Sequence, residues 1–271
     1  MKIELKNMGH TYPTGDKALE GIDLLIDQRE PVAIIGQNGA GKTTLVKHFN
    51  GILRPTSGDI LLDGESIENR STAKWSKDVG YVFQNSDDQL FLDTVRKELE
   101  FGPRQIGMPD ERIAEQLEYV SKLCDLADKL DDHPFDLTST QKKFCTVGAI
   151  IMMDPQVLIF DEPTCGQDIK GTKRLCDIVK AMQEKGKLCI TISHDMKFVV
   201  ENFTRTIVLC KGSVLLDGST KEVFAQPDIL KKSFVSPPPL TRVAQQAGIS
   251  DTIFDIKELI NVIDERREQR I

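Results

Sequence analysis

No run of apolar residues approaches the length of a bilayer-spanning helix, and the opening residues Met1 Lys2 Ile3 Glu4 read as an alternating strand without an apolar signal region. Any membrane role is therefore expected to be peripheral, through protein partners. Clustered basic residues are also missing. The net charge is −7, and neutralising nucleic-acid phosphates needs Lys and Arg gathered on one surface, so nucleic acid is a poor candidate partner. The six cysteines, Cys124, Cys145, Cys165, Cys176, Cys189 and Cys210, form no C-x-x-C pair and have no metal-like spacing with the four histidines. That usage fits reduced thiols, and neither a disulfide nor a zinc site is expected. No internal repeat or low-complexity tract is evident. What is present is a chain of 271 residues, 39% of them apolar, with room for one large α/β domain and a modest appendage.

The most informative stretch is Gly36 Gln37 Asn38 Gly39 Ala40 Gly41 Lys42 Thr43, a complete G-x-x-x-x-G-K-[ST] phosphate-binding loop. It follows the apolar run Val32–Ile35, which reads as a buried strand, and opens a helical segment over Lys42–Phe49. In such a loop the glycines, here Gly36, Gly39 and Gly41 with Asn38 between them, let backbone N–H groups face the α- and β-phosphates. Lys42 reaches the β- and γ-phosphates, and Thr43 offers its hydroxyl to Mg²⁺, with Thr44 beside it. The chain is expected to bind ATP with Mg²⁺.

Short apolar runs near residues 3–5, 22–26 and 58–62 read as strands, taken with the phosphate loop as the first part of a nucleotide-binding sheet. Over residues 85–151 the period becomes helical, with Ile113, Leu117, Val120, Leu123 and Cys124 on one face and Asp132 His133 Pro134 as a break, suggesting an inserted helical subdomain. Strands return at 157–160, Leu188–Ile192 and 207–209, with a helix over 172–184 that ends at Gly186. This alternation predicts parallel pairing, with ligands at the strand C-termini. The tail differs. Ser236 Pro237 Pro238 Pro239 predicts an extended connector, and beyond Ser250, a candidate N-cap, Ile253, Ile256, Leu259, Ile260 and Ile263 lie on one helical stripe. Such a helix either docks on its own domain or contacts a second subunit.

Two carboxylates, Asp161 and Glu162, follow the apolar strand at 157–160; the first can hold Mg²⁺ through water, and the second can polarise a water in line with the γ-phosphate. Gln84, after a strand at 79–83, and His194, after Leu188–Ile192, fall at strand ends too, placed to touch Mg²⁺ and the γ-phosphate respectively. Tyr12 either stacks an adenine or is a partly buried packing residue. The charged end Asp264 Glu265 Arg266 Arg267 Glu268 reads as a solvated helix terminus.

Taken in order, the phosphate loop, Gln84, Asp161 Glu162 Pro163 Thr164, Gly166 to Asp168, and Ser193 His194 Asp195 resemble the ATPase subunit of an ABC transporter over roughly residues 1–225. The segment Phe83 Gln84 Asn85 Ser86 Asp87 Asp88 Gln89 Leu90 Phe91, then Thr94 Val95 and Glu100 Phe101 Gly102 Pro103, resembles the energy-coupling factor, or cobalt/nickel CbiO-like, ATPases. Ser86 stands where that family usually has proline. The resemblance implies a P-loop NTPase of the ABC type: an α/β domain over residues 1–226 with an inserted helical subdomain, and a small helical extension over 227–271 that helps two ATPase subunits dimerise.

In that family two subunits close head to tail on two ATP molecules, each phosphate loop facing the partner's Leu-Ser-Gly-Gly-Gln signature. Here the signature reads Leu137 Thr138 Ser139 Thr140 Gln141, without either glycine, and Phe144 replaces a usual basic residue. Gln167 replaces the common leucine before Asp168, another residue of the inter-subunit face. The departures concern the partner's ATP, while Lys42, Thr43, Gln84, Asp161, Glu162 and His194 serve the chain's own. A heterodimer with one competent and one impaired site is the expectation. The alternative is that Thr138 supplies the signature hydroxyl and both sites work. The resemblance further implies a transmembrane coupling subunit docked beside residues 84–91, a separate membrane protein that captures a vitamin or transition-metal ion, and a place on the cytoplasmic face of the membrane. A regulatory nucleotide-binding subunit with slow hydrolysis is the second reading.

Overall fold

The computed structural model describes residues 1–27, 30–249 and 251–268. Strands β1 (Lys2–Thr11) and β2 (Lys17–Asp27) form an antiparallel pair, β3 (Val32–Ile35) leaves them for a second sheet, and β4 (Ser57–Leu62) and β5 (Glu65–Ser66) return to the first. The first sheet, ordered β2-β1-β4-β5, is antiparallel throughout and separate. This corrects the expectation that all the early strands open one nucleotide-binding sheet: only β3 of them enters it.

The second sheet adds β6 (Val79–Val82), β7 (Val157–Asp161), β8 (Leu188–Ile192), β9 (Arg205–Cys210) and β10 (Ser213–Ser219), ordered β10-β9-β3-β8-β7-β6. It is parallel except for the edge pair β9–β10. Every residue of β3, β6, β7 and β8 is buried, as expected of parallel strands covered on both faces. The two-residue period of a strand sorts those residues. Val32, Ile34, Tyr81, Ile159 and Ile190 join the core shared with the antiparallel sheet and helix α1 (Lys42–Phe49), whereas Ala33, Ile35, Val82, Leu158, Phe160 and Cys189 face the other core.

Between β4 and β6 a short α2 (Thr72–Asp78) buries Trp75 in the first core. Helices α3 (Val95–Gln105), α4 (Asp110–Leu123) and α5 (Ser139–Met152) pack on one another through Leu99, Ile113, Leu117, Val120 and Val147. Helix α6 (Ile169–Glu184) links β7 to β8, and α7 (Met196–Asn202) links β8 to β9. The sheet therefore delivers the ends of β3, β6, β7 and β8 to one edge, where parallel sheets bind ligands.

After α8 (Thr220–Phe224) and α9 (Pro227–Leu230) the tail departs from expectation. Pro239 is the first residue of α10 (Pro239–Gln246), because a fixed φ near −65° suits the first helical turn, so the connector is shorter than the proline run. Ser250 lies outside the described residues. Helix α11 (Ile256–Glu268) starts later, with Asp255 Oδ1 accepting from Lys257 N at 2.7 Å. The stripe divides: Ile253, ahead of the helix, and Leu259 are buried with Ala244 and Ile249, while Ile256, Ile260 and Ile263 are exposed.

Candidate functional site

Two glycines set the phosphate loop. Gly36 has φ +147°, and a Cβ there would lie 2.2 Å from Leu209 O; Gly41 has φ +99°, and a Cβ would lie 2.7 Å from Ala18 O. No side chain fits either position without moving backbone. Gly41 is also the N-cap of α1 and brings no side-chain cap, so the first N–H groups of that helix are left to a ligand. Lys42, buried at the start of α1, donates to Gly36 O at 2.8 Å and Gln37 O at 3.0 Å, and its Nζ lies 3.4 Å from His194 Nε2. Burial pulls its pKa down, and Glu162 and Asp161 pull it back up.

Strand β7 brings the carboxylates. Asp161 is 3% exposed; its Oδ2 accepts from the Tyr81 hydroxyl at 2.5 Å, and its Oδ1 is buried without a hydrogen-bond partner. Burial, with the adjacent Asp161 charge, drives the Tyr81 pKa far upward, so Tyr81 is a donor at all ordinary pH. Glu162 takes a left-handed backbone, φ +48°, a cost of the kind that concentrates at functional sites. Its N–H bonds to Ile192 O at 2.9 Å, its Oε2 accepts from His194 N at 3.1 Å, and its Oε1 stands 3.3 Å from His194 Nε2. The β8 end thereby fixes both groups.

These residues meet in one cleft of about 760 Å³ lined by Tyr12, the phosphate loop, Gln84, Glu162 and His194. The volume suits a nucleotide. A recess of about 270 Å³ brings together Thr43, Gln84 and Asp161. A buried carboxylate oxygen with no partner, beside a hydroxyl and an amide, is a hard oxygen donor set of the kind Mg²⁺ takes, so the residues fit that ion. Tyr12 lines the cleft with its hydroxyl 3.0 Å from Thr44 Oγ1 and its ring edge-on to His10.

The signature residues lie elsewhere. Thr138 caps α5 in a closed box: its Oγ1 accepts from Gln141 N at 3.3 Å, and Gln141 Oε1 is 3.0 Å from both Thr138 N and Thr138 Oγ1. Both side chains are thus committed within the loop. Asp168 caps α6, accepting from Gly171 N at 2.7 Å. Thr138, Thr140, Gln141 and Asp168 line one cavity of about 400 Å³, and Ser139 faces another. The buried Phe144 ring sits beneath Arg174, whose guanidinium is 5.5 Å from the ring centroid and pairs with Asp125 at 2.5 Å. Helix α6 therefore holds a cation over the Phe144 ring of α5.

Four contributing residues escape sequence reasoning. Tyr81 reads as an ordinary strand residue until the β6–β7 register places it beside Asp161. Lys143 of α5 is buried, and the buried histidines His10 and His48 form a contact, Nδ1 to Nε2 at 3.1 Å, beneath Tyr12. A tyrosine, a lysine and two histidines at buried positions are the only signal, and burial is not visible in one sequence.

Fold and site together define a phosphate-loop nucleotide-binding cassette. Residues 19–165 match the family of the ABC transporter, and an energy-coupling factor transporter ATP-binding protein EcfA of Methanoculleus marisnigri is 36% identical over 94% of this chain and 92% of its own length. The chain belongs to the ABC transporter ATP-binding family, in its energy-coupling factor branch. The solved structure of cbiO1 from Clostridium perfringens, described as part of the ABC transporter complex cbiONQ, superposes with a TM-score of 0.76 at 33% identity, covering 91% of this chain and 98% of that one. The chain spans 42% of the length of a putative ABC transporter ATP-binding protein of Methanosarcina acetivorans, to which it is 38% identical over 97% of its own residues.

Proposed function

We propose that the chain binds and hydrolyses ATP to energise an energy-coupling factor importer for a vitamin or transition-metal ion, working in an asymmetric pair with a second ABC ATPase. The observation that carries this reading is the convergence of Lys42, Gln84, Glu162 and His194 on one cleft, with the unpartnered Asp161 Oδ1 beside Thr43. Loop amides and Lys42 hold the phosphates, Tyr12 meets the base, and Thr43, Gln84 and Asp161 hold Mg²⁺, directly or through water. Bound there, Mg²⁺ supplies charge neutralisation on the phosphate oxygens. Glu162 accepts a proton from the attacking water as its oxygen bonds to the γ-phosphorus and the bond to ADP breaks, giving ADP and phosphate. His194 holds Glu162 through its backbone N–H and lines the same cleft, so its imidazole is the group offered to the γ-phosphate.

Asymmetry is supported by the signature loop. Backbone amides at a helix N-terminus reach a phosphate best without side chains, and here Ser139 and Thr140 bring side chains to the first two positions of α5 while the Thr138 hydroxyl is spent on the cap. The partner is expected to carry an intact signature, so that the competent site uses this chain's Glu162. Exposed Ile256, Ile260 and Ile263 offer the tail a subunit contact, and the exposed pair Phe91 and Phe101, edge to face at 5.0 Å beside residues 84–91, offers a seat for a transmembrane coupling subunit. Among the described residues no helix is long and apolar enough to cross a membrane, in keeping with a peripheral place on the cytoplasmic face. A substrate-capture membrane protein completes the assembly.

The same capping box favours a second reading, a regulatory subunit that binds ATP and leaves hydrolysis to its partner. Glu162→Gln in the assembled complex separates the two. Removing a general base costs about 10²–10⁴-fold in rate. Loss of turnover on that scale, with ATP binding kept, supports the catalytic reading; unchanged turnover establishes the regulatory one.

A further inference from the structure

Lys143 lies on the fifth residue of α5, one turn from the signature loop, and its side chain leaves the helix entirely. Its residue is 3% exposed, and Nζ donates to Phe83 O at 3.0 Å and to Gln84 O at 2.6 Å, the carbonyls of the two residues that follow β6. Its neighbour Lys142 makes a parallel tie, Nζ to Asp87 Oδ1 at 3.0 Å. Two consecutive lysines thus fasten the start of α5 to the segment that presents Gln84. Ser139, the first residue of α5, lines the same cavity of about 240 Å³ as Gln84 and Lys143.

We propose that Lys143 is a positioning residue that sets Gln84 in the magnesium recess and makes that placement depend on the position of α5. The physical ground is an asymmetry. A buried ammonium stripped of its acceptors is heavily penalised, whereas moving an exposed loop residue is cheap, so when α5 shifts Gln84 follows it. Burial lowers the Lys143 pKa, and Cys165 and Asp161 act the other way; the two carbonyls are the acceptors that solvate the charge. A neutral amide or apolar side chain at this position would hold the carbonyls less firmly. Resting on the subunit pairing proposed above, the arrangement joins two sites. The N-terminus of α5 meets the partner's nucleotide, Lys143 carries the displacement about 6 Å along the helix, and Gln84 delivers it to this chain's own Mg²⁺. Even an impaired signature then reports occupancy of the partner's site to the competent one.

The link from Lys143 to Gln84 is tested on the isolated full chain by measuring ATP affinity with Mg²⁺ and with EDTA, for wild type, Lys143→Met, Gln84→Ala and the double variant. Lys143→Met is expected to cut the gain in affinity given by Mg²⁺ at least fivefold while affinity in EDTA stays within twofold, and Lys143→Arg to restore most of the gain. In the Gln84→Ala background, Lys143→Met is expected to add nothing, because it acts through Gln84. Should Lys143→Met not fold, Lys143→Gln, which keeps one donating group, gives the same reading with an intermediate loss. A Mg²⁺-dependent gain equal to wild type in the folded variant, or additive losses in the double variant, overturns the proposal and leaves the ATPase reading standing. A wild-type chain whose ATP affinity ignores Mg²⁺ overturns both.

Discussion

Tyr81 on β6 donates a hydrogen bond to Asp161 Oδ2 on the neighbouring β7 at 2.5 Å, and so occupies one carboxylate oxygen while the other, Oδ1, stays buried without a partner. Tyr81 pairs in register with Ile159, and Asp161 lies two residues on, on the same face of the sheet. The bond orients the carboxylate before any ion arrives.

Tyr81→Phe keeps the ring and deletes the donor, leaving a buried charged oxygen unsatisfied. The expected loss is about 1.5–3 kcal/mol of unfolding free energy in urea without nucleotide, the range for hydrogen bonds to charged groups. A loss well under that, with the affinity for ATP and Mg²⁺ unchanged, would show that Asp161 does not depend on Tyr81.

How much of this arrangement is legible in the chain follows from what kind of fact each residue is. Lys42, Thr43, Asp161 and Glu162 belong to contiguous motifs whose spacing carries their geometry, and the structure places all four at the expected edge of the parallel sheet. Tyr81 and Lys143 act across strands and helices far apart in sequence, and their roles exist only once register and packing are fixed. The antiparallel sheet is not legible as a separate layer because alternation of apolar residues gives a strand's faces and says nothing of its partner. The tail stripe misleads for a related reason: Ile253 shares the helical period yet precedes a helix that begins at Ile256, and a helix that packs Leu259 against Ala244, Ile249 and Ile253 of the same tail leaves the remaining isoleucines outward.

Stability is expected to fall with pH through His48. This residue is fully buried, its Nδ1–H donates to Thr44 O at 2.7 Å, and burial, only partly offset by that bond, lowers its pKa from 6.5 to about 4. Between those values the unfolded chain binds the proton and the folded chain does not, so stability is full above about pH 6.5 and declines toward pH 4. At pH 5 the loss from this group is on the order of 2 kcal/mol. Urea midpoints from pH 7.5 to pH 4.5 should show a steeper fall for wild type than for His48→Gln; parallel curves would remove His48 as the cause.

Ile260 tests the tail. It is half exposed on the outer face of α11 between Ile256 and Ile263, so a charge there disturbs little within its own subunit. Ile260→Glu is expected to leave unfolding free energy within about 0.5 kcal/mol, as for ordinary surface changes. If the face meets a second ATPase subunit, the ATP-bound pair should weaken about tenfold or more, equivalent to about 1.4 kcal/mol. Sedimentation with the copurified partner reads this directly, and an unaltered pairing constant would return the face to solvent.

The signature loop gives the sharpest division between an impaired site and a tolerated one. In Ser139→Gly with Thr140→Gly, both changes fall in the first turn of α5, outside the Thr138–Gln141 box, so the cap that starts the helix survives. Glycine costs about 1 kcal/mol or less per position in a helix interior, and α5 is held from below by Val147, Ile151 and Met152, so the helix should persist. What changes is access, since the first turn of α5 then carries no side chain at its first two positions, as a close phosphate approach favours. If these side chains limit the partner's site, ATP turnover of the assembled complex should rise, about twofold where the two sites contribute equally and more where closure of one aids the other. Thr138→Ala serves as the opposing control: it breaks the box, frays the start of α5 and should not raise turnover. A double-glycine variant that folds, pairs and hydrolyses ATP at the wild-type rate would mean that Ser139 and Thr140 already permit the contact, and the asymmetry would then have to reside in the partner.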